Sequence, residues 1–448
     1  MKNSTYRNIS KAIHNGFYTN NDISVAISNY RRQGAPLNKI VSLYLKKFFH
    51  RSIKHVRQER RTLLLAENRE ISNILASPIS PRDVLLISHE MTLTGAPRAL
   101  LTVAMTLRDM GYSPTILSLV DGPLSEEAGL NGIKVLITDS ELINPYVENA
   151  LYKTEQDVAR QLLDHYKHVI FNTMVSVDIL HDFINKDNSI IWIHEAGISY
   201  EYLRSPHDTI IDALKKAKDI WIVGEHAKKM FDDYTCHRIE SSIFLYGIPA
   251  INNISIPSTE ENNISHDKIN ILMSGMMGTR KGTDLLLDAV KLLSPEELSR
   301  LRIHLIGGCC ENSIKTKIEN AGDSILWWGQ QPHDKVLSAM SDMQALICPS
   351  IDDPMPIVCT EAFQQHIPVL TSDATGTASL IKDGGDGMIF TSGSPKAIAD
   401  TLRRVITTPP SELKRIGDNG YKIYTEHFSL QIFSKNLSKY FPPLVNKA

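Results

Sequence analysis

Short runs of apolar residues recur along the chain, and segments with apolar residues at helical spacing separate several of them. The first run, VLLIS at 84–88, is followed by a turn, by the helix-like stretch ALLTVAMTLRDM and by a second run, PTILSLV. A short run that is apolar throughout is typical of a strand buried on both faces, and this order predicts right-handed βαβ crossovers. The pattern therefore predicts an α/β fold with doubly wound, Rossmann-like parallel sheets.

A polar segment interrupts this alternation and divides the predicted strands into two series. We expect two Rossmann-like domains with a linker between them and helical segments at both ends of the chain. The predicted bounds are 1–80 for a basic helical N-terminal extension, 81–252 for the first domain, 253–267 for the linker, 268–425 for the second domain, and 426–448 for a C-terminal helix that packs back on the first domain. Two such domains imply a cleft, and a cleft of this kind is the usual place for a ligand.

The N-terminal extension differs in charge from the rest of the chain. Residues 1–82 contain 15 Lys and Arg against 4 Asp and Glu, whereas the whole chain has a formal net charge of -2. Over 37–64 the basic residues share a helix-like stretch with an apolar, aromatic face, a pattern typical of a helix in a membrane interface. Two alternatives stay open: an anionic membrane surface as the partner, or packing of this face on the protein or a partner subunit. The patterning of nucleic-acid-binding modules is missing, so no nucleic-acid partner is expected.

Composition and cysteine usage indicate where the protein works. Of the 448 residues, 42% are hydrophobic and 22% are charged, as in an ordinary globular protein. The five cysteines form an odd set without a CxxC pair, which favours a reducing compartment. The N-terminus lacks the apolar core of a signal peptide, and no apolar stretch approaches the length of a membrane span. We expect a cytoplasmic protein, soluble or peripheral on the inner face of the cytoplasmic membrane.

A glycine-rich loop with two cations follows the first predicted strand of the second domain. It lies in GMMGTRKGTDLLLDA at 275–289 and contains Arg280 and Lys281. Ligands bind at the carboxyl ends of the strands in such sheets, and diphosphate is the natural partner of an Arg and a Lys. Thr283 or Asp284 is expected to cap the next helix. The alternative is a solvated basic turn.

Two acids separated by seven residues, Asp353 and Glu361, stand in the segment CPSIDDPMPIVCTEAFQQ. We expect a turn there that leads into a helix opened by Thr360 or its neighbours, and free backbone N–H groups at this point can receive phosphate. Glu361 can accept hydrogen bonds from a ribose diol, and Asp353 from sugar hydroxyls. The alternative is that Glu361 only favours a helix start and that Asp353 is a turn residue.

The first domain offers two weaker candidates at strand ends. Gly95 in HEMTLTGAP lets backbone N–H groups approach an anion, and the next helix directs its positive end toward the loop. Neither GxGxxG nor a Walker A sequence is present, which excludes dinucleotide and P-loop sites of those types. His194 stands in WIHE at the end of a predicted strand. A plain tight turn and a structural histidine are the respective alternatives.

These motifs stand in a defined order along the chain, together with several others. The order is TGAPRAL, WIHE, LYGI, KGTDLLLDA, ICPS, the two acids with their seven-residue spacing, IPVLTSD and DGGDGMIF. From about 84 to 425 the chain resembles the GT-B glycosyltransferases, most closely the retaining family 4 type, also described as glycosyl transferases group 1.

The resemblance implies a role for each candidate residue. It implies that Asp353 and Glu361 bind the donor sugar and the nucleotide ribose. It implies that Arg280 and Lys281 bind the donor diphosphate and act in catalysis, and that His194 acts beside the donor sugar. The implied donor-binding residues are Gly95, Ala96, Gly275, Asp353, Met355, Pro356, Ile357, Val358 and Glu361. The family needs no metal ion, so neither a metal nor a cofactor is expected.

Three positions depart from the family pattern and leave the identity of the donor open. Asp353 stands where the family commonly has Glu, and it is one methylene shorter. Met276 stands where Arg often follows the strand glycine, so Arg280 must supply the second cation. Ser379 replaces the Glu of a later motif.

The expected function is transfer of a hexose or deoxyhexose from a nucleotide-diphosphate sugar to a hydroxyl. The resemblance implies retention of anomeric configuration and, as acceptor, a bacterial cell-surface glycan or a lipid-linked glycan. Two other functions remain open from the sequence: a nucleotide-sugar epimerase of the same fold, and a non-catalytic subunit that binds a glycan or a nucleotide.

Overall fold

The computed structural model describes residues 69–137, 160–251, 264 and 267–444. The helix predicted over 37–64 lies outside these residues, as do most of the predicted linker and the last four residues of the chain. Within the described residues, no helix is both long enough and apolar enough to cross a bilayer.

The first domain is a seven-stranded parallel sheet with helices on its faces. Its strands are β1 (Asp83–Ser88), β2 (Ser113–Ser118), β3 (Lys134–Ile137), β4 (His168–Asn172), β5 (Ser189–Ile193), β6 (Asp219–Ile222) and β7 (Ser242–Ile243). Its helices are α1 (Arg69–Ala76), α2 (Gly95–Asp109), α3 (Pro123–Leu130), α4 (Met174–Leu180), α5 (His207–Lys215) and α6 (Glu225–Tyr234), with 3₁₀ turns at His181–Phe183 and Gly197–Tyr202 and a further helical segment at 160–165.

The second domain is a six-stranded parallel sheet. Its strands are β8 (Ile269–Ser274), β9 (Leu301–Ile306), β10 (Ile325–Trp327), β11 (Ala345–Cys348), β12 (Val369–Ser372) and β13 (Met388–Phe390). Its helices are α7 (Thr283–Val290), α8 (Pro295–Ser299), α9 (Asn312–Glu319), α10 (His333–Met340), α11 (Ile357–Gln364), α12 (Pro395–Thr407) and α13 (Pro410–Ile423), with a 3₁₀ turn at Gly376–Leu380. After α13 come a π-helical turn at Tyr424–Phe428 and α14 (Leu430–Leu437).

Both sheets have the same winding. The strand order is β3-β2-β1-β4-β5-β6-β7 in the first and β10-β9-β8-β11-β12-β13 in the second. In each sheet the first three strands are added toward one edge, and the next strand pairs with the other side of the first strand. This reversal creates a topological switch point between β1 and β4 in the first sheet and between β8 and β11 in the second. The register there pairs Leu85 with Val169 and Leu272 with Leu346. This arrangement confirms the predicted pair of doubly wound α/β domains.

Burial explains why these segments form strands. Val84, Leu85 and Leu86 have no exposed surface, and Ile87 has almost none, because helices cover both faces of the sheet. An apolar run without alternation can satisfy this geometry, whereas an alternating run would place polar side chains in the core. The run VLLIS therefore forms β1, and INILMS forms β8 for the same reason.

The C-terminal segment returns from the second domain to the first. The ring of Tyr440 meets that of Trp221 edge-on at 4.7 Å between centroids, and Phe433 packs against Phe244. Phe441 packs edge-on against Tyr112, and the N–H of Leu444 donates to the carbonyl of Met110 over 3.0 Å. The end of the chain therefore helps to hold the two domains together.

Two helix starts differ from the sequence predictions. α11 begins at Ile357, three residues before Thr360, because the chain turns at Pro356, whose extended conformation makes it the N-cap. α7 has Gly282 as N-cap in the left-handed region, at φ +71°, rather than Thr283 or Asp284. A side chain at Gly282 would also collide with the carbonyl oxygen of Pro349, 2.0 Å from an added Cβ, so glycine is required there.

Candidate functional site

The cations and acids singled out in the second domain flank its switch point. The loop after β8 carries Arg280 and Lys281, and the loop after β11 carries Asp352 and Asp353. Lys281 Nζ lies 2.5 Å from Asp353 Oδ2, and the Asp353 side chain is nearly buried. Burial disfavours the charged ammonium, but the neighbouring Asp353 carboxylate prevails and raises the pKa of Lys281. The lysine is therefore a fixed positive charge at the carboxyl end of the sheet.

Arg280 is held by the same segment in a different way. Its Nη1 donates to the carbonyl oxygen of Asp352 over 2.7 Å, and its own carbonyl accepts from the N–H of Ile351 over 3.0 Å. The side chain is otherwise exposed. The guanidinium keeps further donors for a ligand, because one of its five N–H groups is used in this contact.

The loop that presents these cations is closed by its own polar groups. The N–H of Gly278 donates to Thr283 Oγ1 over 3.0 Å, and the backbone and hydroxyl of Thr279 both donate to Glu311. Gly275 lies just after β8, where its N–H donates to the carbonyl of Ile306. Thr283 thus braces the loop instead of capping α7.

The start of α11 lies beside the acid pair. Met355 and Pro356 precede the helix, and Ile357 and Val358 form its first turn. Glu361 lies in the second turn, so it is not a helix-start residue. Its Oε1 is 2.7 Å from Nε2 of His333, at the first position of α10. The Glu361 carboxylate is mostly buried, and His333 fixes its direction.

The first domain presents histidines at the corresponding edge of its sheet. His194 follows β5, and its ring packs at a tilt of 60° against that of Trp192, with 4.3 Å between ring centroids. Its Nε2 is buried and has no hydrogen-bond partner among the described residues. Burial, and secondarily the nearby His89, lowers the pKa of His194 to about 3, so the imidazole is neutral at ordinary pH. Burial also lowers the pKa of His89, against the opposing effect of Glu90.

Glu195 anchors this histidine. Its Oε2 accepts from the N–H of His194 over 3.0 Å, and its Oε1 accepts from the N–H of Met174, at the start of α4, over 2.9 Å. Burial raises the pKa of Glu195 to about 7, although these backbone donors favour the charged form. Thr173, between β4 and α4, has φ +84°, a strained value for a β-branched residue, and its hydroxyl lies 3.1 Å from His89 Nδ1.

The loop around Gly95 lies against the second domain. A Cβ on Gly95 would be 3.4 Å from Cδ1 of Ile357, in ordinary contact with the first turn of α11. Asn172, at the end of β4, donates through Nδ2 to the carbonyl of Ala96 over 3.0 Å and fixes the start of α2. The structure therefore brings Gly95 to the α11 side of the cleft, while His194 makes its contacts within the first domain.

A cavity of about 310 Å³ lies between α2, α10, α11 and the segment that leaves the first domain. Its lining is mostly apolar, and it includes Arg98, Thr102, His333, Glu361 and Gln364. It therefore opens beside the Glu361–His333 contact. Across the described chain, no group of three or more His, Cys, Asp or Glu side chains is placed to hold a metal ion.

The sequence patterns did not indicate the contacts of four residues in this region, which are His89, His226, His333 and Asp352. His89 is recognisable as a polar residue immediately after an apolar strand, and Asp352 as the neighbour of Asp353. The contacts of His226 and His333 carry no sequence signal, because they depend on which helices meet.

Two family models match the chain, one on each domain. The description "Glycosyl transferases group 1" applies to residues 257–423, and "Glycosyl-transferase family 4" applies to residues 80–230. Together they match most of each predicted domain.

Two of the curated relatives have names that state a biosynthetic role or a specific reaction. One is the capsular polysaccharide biosynthesis glycosyltransferase CapM of Staphylococcus aureus, 25% identical over 214 residues, which are 44% of this chain and 54% of the relative. The other is the lipopolysaccharide 1,6-galactosyltransferase of Salmonella typhimurium, 28% identical over 151 residues, 30% of this chain and 40% of the relative. The chain spans about half the length of the curated relatives it matches.

The fold is also found in solved structures. Anabaena Alr3699/HepE, solved in complex with UDP and glucose, superimposes with a TM-score of 0.67 at 15% identity, over 81% of this chain and all of that one. At this identity the likeness establishes the fold alone. The first domain matches one glycosyltransferase family model and the second domain matches another, and the two doubly wound sheets have the fold of the solved glycosyltransferase structures. The chain therefore belongs to the GT-B glycosyltransferases.

Proposed function

We propose that the protein transfers a hexose or deoxyhexose from a nucleotide-diphosphate sugar to a hydroxyl of a cell-surface glycan or a lipid-linked glycan. The observation that carries the proposal is the group at the second switch point, where Lys281 and Arg280 are held on Asp353 and on the Asp352 carbonyl. The names of the relatives, which refer to capsular polysaccharide and lipopolysaccharide, support the acceptor class.

The cations act on the leaving diphosphate. Negative charge grows on the diphosphate as the bond to the sugar breaks, and fixed positive charges stabilise that change at little reorganisation cost. Lys281 supplies a point charge, and Arg280 supplies a fork of N–H donors. Ile357 and Val358 form the first turn of α11, where backbone N–H groups have no acceptor within the helix and favour an anion. In this scheme the charge is balanced without a metal ion.

The nucleotide is oriented by Glu361. A carboxylate held by His333 can accept hydrogen bonds from both hydroxyls of a ribose. The sugar lies toward Asp353, whose remaining oxygen can accept from its hydroxyls. Met355 and Pro356 shape the turn between these two acids.

His194 and Gly95 complete the site from the first domain. The neutral imidazole has a buried nitrogen free for a hydrogen bond to the donor sugar, and an unpaired buried nitrogen costs stability unless a ligand meets it. Gly95 and Ala96 let the backbone of the first domain approach the donor, since the loop already contacts Ile357.

We propose transfer with retention by a front-face route. The bond from the anomeric carbon to the phosphate oxygen breaks, and the bond to the acceptor oxygen forms on the same face. The proton of the acceptor hydroxyl passes to the leaving phosphate oxygen. This scheme requires no carboxylate nucleophile, in contrast to the two-carboxylate scheme of retaining glycoside hydrolases.

We further propose that the basic segment 1–80 docks the enzyme on an anionic membrane surface near a lipid-linked acceptor. Each cation near such a surface contributes about 1 kcal/mol, and the segment has a large excess of them. The test is co-sedimentation with anionic liposomes for the full chain and for a chain that starts just before α1, because Ile71 of α1 is buried in the core. Docking requires salt-sensitive binding by the full chain and none by the shorter one. Equal behaviour of the two would overturn it.

The donor and the reaction are tested together. A thermal-shift series with UDP, GDP, ADP and their sugar conjugates should raise the unfolding temperature for one nucleotide class, since a ligand that binds the folded state stabilises it. That donor should then be consumed only when a glycan acceptor is present. Consumption with isomerised donor and no acceptor would indicate an epimerase, and binding without any turnover would indicate a non-catalytic subunit.

A further inference from the structure

Both carboxylate oxygens of Asp352, in the second domain, contact residues of the first domain. Oδ1 lies 3.0 Å from Nε2 of His226, in the first turn of α6, and Oδ2 accepts from the N–H of Ile198 over 2.9 Å. The Asp352 residue is 6% exposed. Ile198 lies in the 3₁₀ turn that follows WIHE, so this contact connects the acid to the segment that carries His194.

The backbone of the same residue holds the donor cations. The Asp352 carbonyl accepts from Arg280, and the next residue, Asp353, pairs with Lys281. The segment itself is fixed, because the N–H of Asp353 donates to the carbonyl of Ala374 over 3.1 Å. A displacement of Asp352 therefore also displaces the acceptors of both cations.

The two domains meet closely at this point. An added Cβ on Gly224, immediately before α6, would lie 2.5 Å from Cε of Met355, so little space separates the domains. Nearby, the hydroxyls of Tyr246 and Thr360 lie 2.8 Å apart. Asp352 is thus a buried charged residue in a close contact between the domains.

The Asp352 carboxylate is charged in this arrangement. Burial works to raise its pKa, but hydrogen bonds from His226 and Ile198 and the charge of Arg280 outweigh burial and hold the pKa below the ordinary value. If the domains move apart, both donors from the first domain leave and water must replace them. The contact therefore belongs to the closed arrangement of the domains, and hydrogen bonds of this charge-assisted kind are strong.

We propose that Asp352 is a positioning residue that couples approach of the first domain to the placement of Arg280 and Lys281. The proposal rests on the proposed glycosyl transfer. In the proposed site, residues of the second domain alone hold the nucleotide diphosphate, whereas turnover needs both domains. Loss of the contact should therefore lower kcat and leave the dissociation constant of the nucleotide almost unchanged.

The test uses the full chain with three substitutions. His226→Leu removes the donor, His226→Gln restores an N–H at a similar reach, and Asp352→Asn removes the charge. We expect kcat to fall about ten-fold for His226→Leu and Asp352→Asn, as for the loss of one charge-assisted hydrogen bond. His226→Gln should recover most of the loss. The double variant of His226→Leu and Asp352→Asn should lower kcat no more than either single substitution does, since the two residues form one contact.

Two measurements accompany the kinetics. The dissociation constant of the nucleotide diphosphate that gives the largest thermal shift should change less than two-fold, and small-angle scattering should give a larger radius of gyration for His226→Leu than for the unaltered protein. The matched control is Asp400→Asn, which removes the charge from surface ion pairs with Lys396 and Arg403 inside α12. This control should change neither the dissociation constant of the nucleotide nor the radius of gyration.

The outcomes separate the two proposals. If Lys281→Ala abolishes turnover while His226→Leu and Asp352→Asn leave kcat and the radius of gyration unchanged, the coupling role is wrong and the proposed transfer stands. Additive losses in the double variant, or failure of His226→Gln to recover activity, would also overturn the coupling role. If Lys281→Ala retains full turnover, the proposed use of this site in transfer fails first.

Discussion

The two sheets have the same winding, but the side chains at their carboxyl edges differ in charge. In the second domain, the loops after β8 and β11 present charges: Lys281 on Asp353, and Arg280 on the Asp352 carbonyl. In the first domain, the loops after β1 and β5 present His89 and His194, whose pKa values are lowered by burial. One edge of the cleft is therefore built for a charged group and the other for uncharged polar groups.

This contrast shows how one fold can divide the work of a reaction between two halves. A diphosphate needs fixed cations, which the second domain stabilises with its own carboxylate and carbonyl acceptors. A second set of cations on the first domain would repel these and oppose closure of the cleft. Neutral donors and acceptors allow the first domain to approach without that cost. Removing groups from either edge tests this division.

The largest effect is expected from loss of charge on the donor side. Lys281→Ala should lower kcat/KM about 10²-fold or more, as when an electrostatic contact to a transition state is removed. Steady-state kinetics at saturating and subsaturating donor measure the effect. Lys291→Ala is the matched control, since Lys291 follows α7 and pairs with Asp288 on the surface. Equal kinetics of both variants would remove Lys281 from the site.

A smaller effect is expected at Glu361, the acid that we propose orients the nucleotide. Glu361→Gln keeps the shape but loses the charged acceptor, which should weaken nucleotide binding by roughly 1–3 kcal/mol. Calorimetric titration of the nucleotide measures it. The unfolding temperature should change little, and Glu412→Gln, which affects an exposed pair with Arg415, serves as the control. A large loss of stability with unchanged binding would make Glu361 structural.

On the first domain, the change should be smaller because the group is neutral. His194→Phe removes a neutral hydrogen bond of about 1 kcal/mol, so kcat should fall roughly five-fold. The same substitution at His207, which is exposed and contacts the carbonyl of Tyr234, is the control. A fall in activity for His194→Phe as large as that for Lys281→Ala would contradict the assignment of only a neutral hydrogen bond to His194.

The smallest expected effect concerns stability and pH. The pKa of Glu195 is about 7 in the folded protein, above its ordinary value of 4.5, so folding favours the protonated form. Its contribution to stability is present below about pH 4.5 and is lost as pH rises through about 7. Glu195→Gln cannot titrate, so its unfolding temperature should depend less on pH in this interval than that of the unaltered protein. Parallel curves for the two proteins would contradict the raised pKa.

Much of the fold could be predicted because burial on both faces leaves a direct mark on the sequence. VLLIS is apolar up to its last residue, INILMS is apolar except for the buried Asn270 and the final serine, and each forms a central strand. The helix starts were less predictable. A left-handed Gly282 and an extended Pro356 determine where α7 and α11 begin, and both depend on how the loop meets its neighbours.

The sequence by itself determined the two doubly wound domains and the residue types at their strand ends, because hydrophobic periodicity and strand-end position are local properties. It also pointed to Lys281, Asp353, Glu361 and His194 through motif order, and their catalytic and binding roles stay predictions. Only the tertiary structure decided which side chains meet: Lys281 with Asp353, His333 with Glu361, and His226 with Asp352. The partners in these pairs are 28 to 126 residues apart in the chain. No local pattern specifies them, because they arise only when the loops of one sheet, and then the two domains, pack against each other.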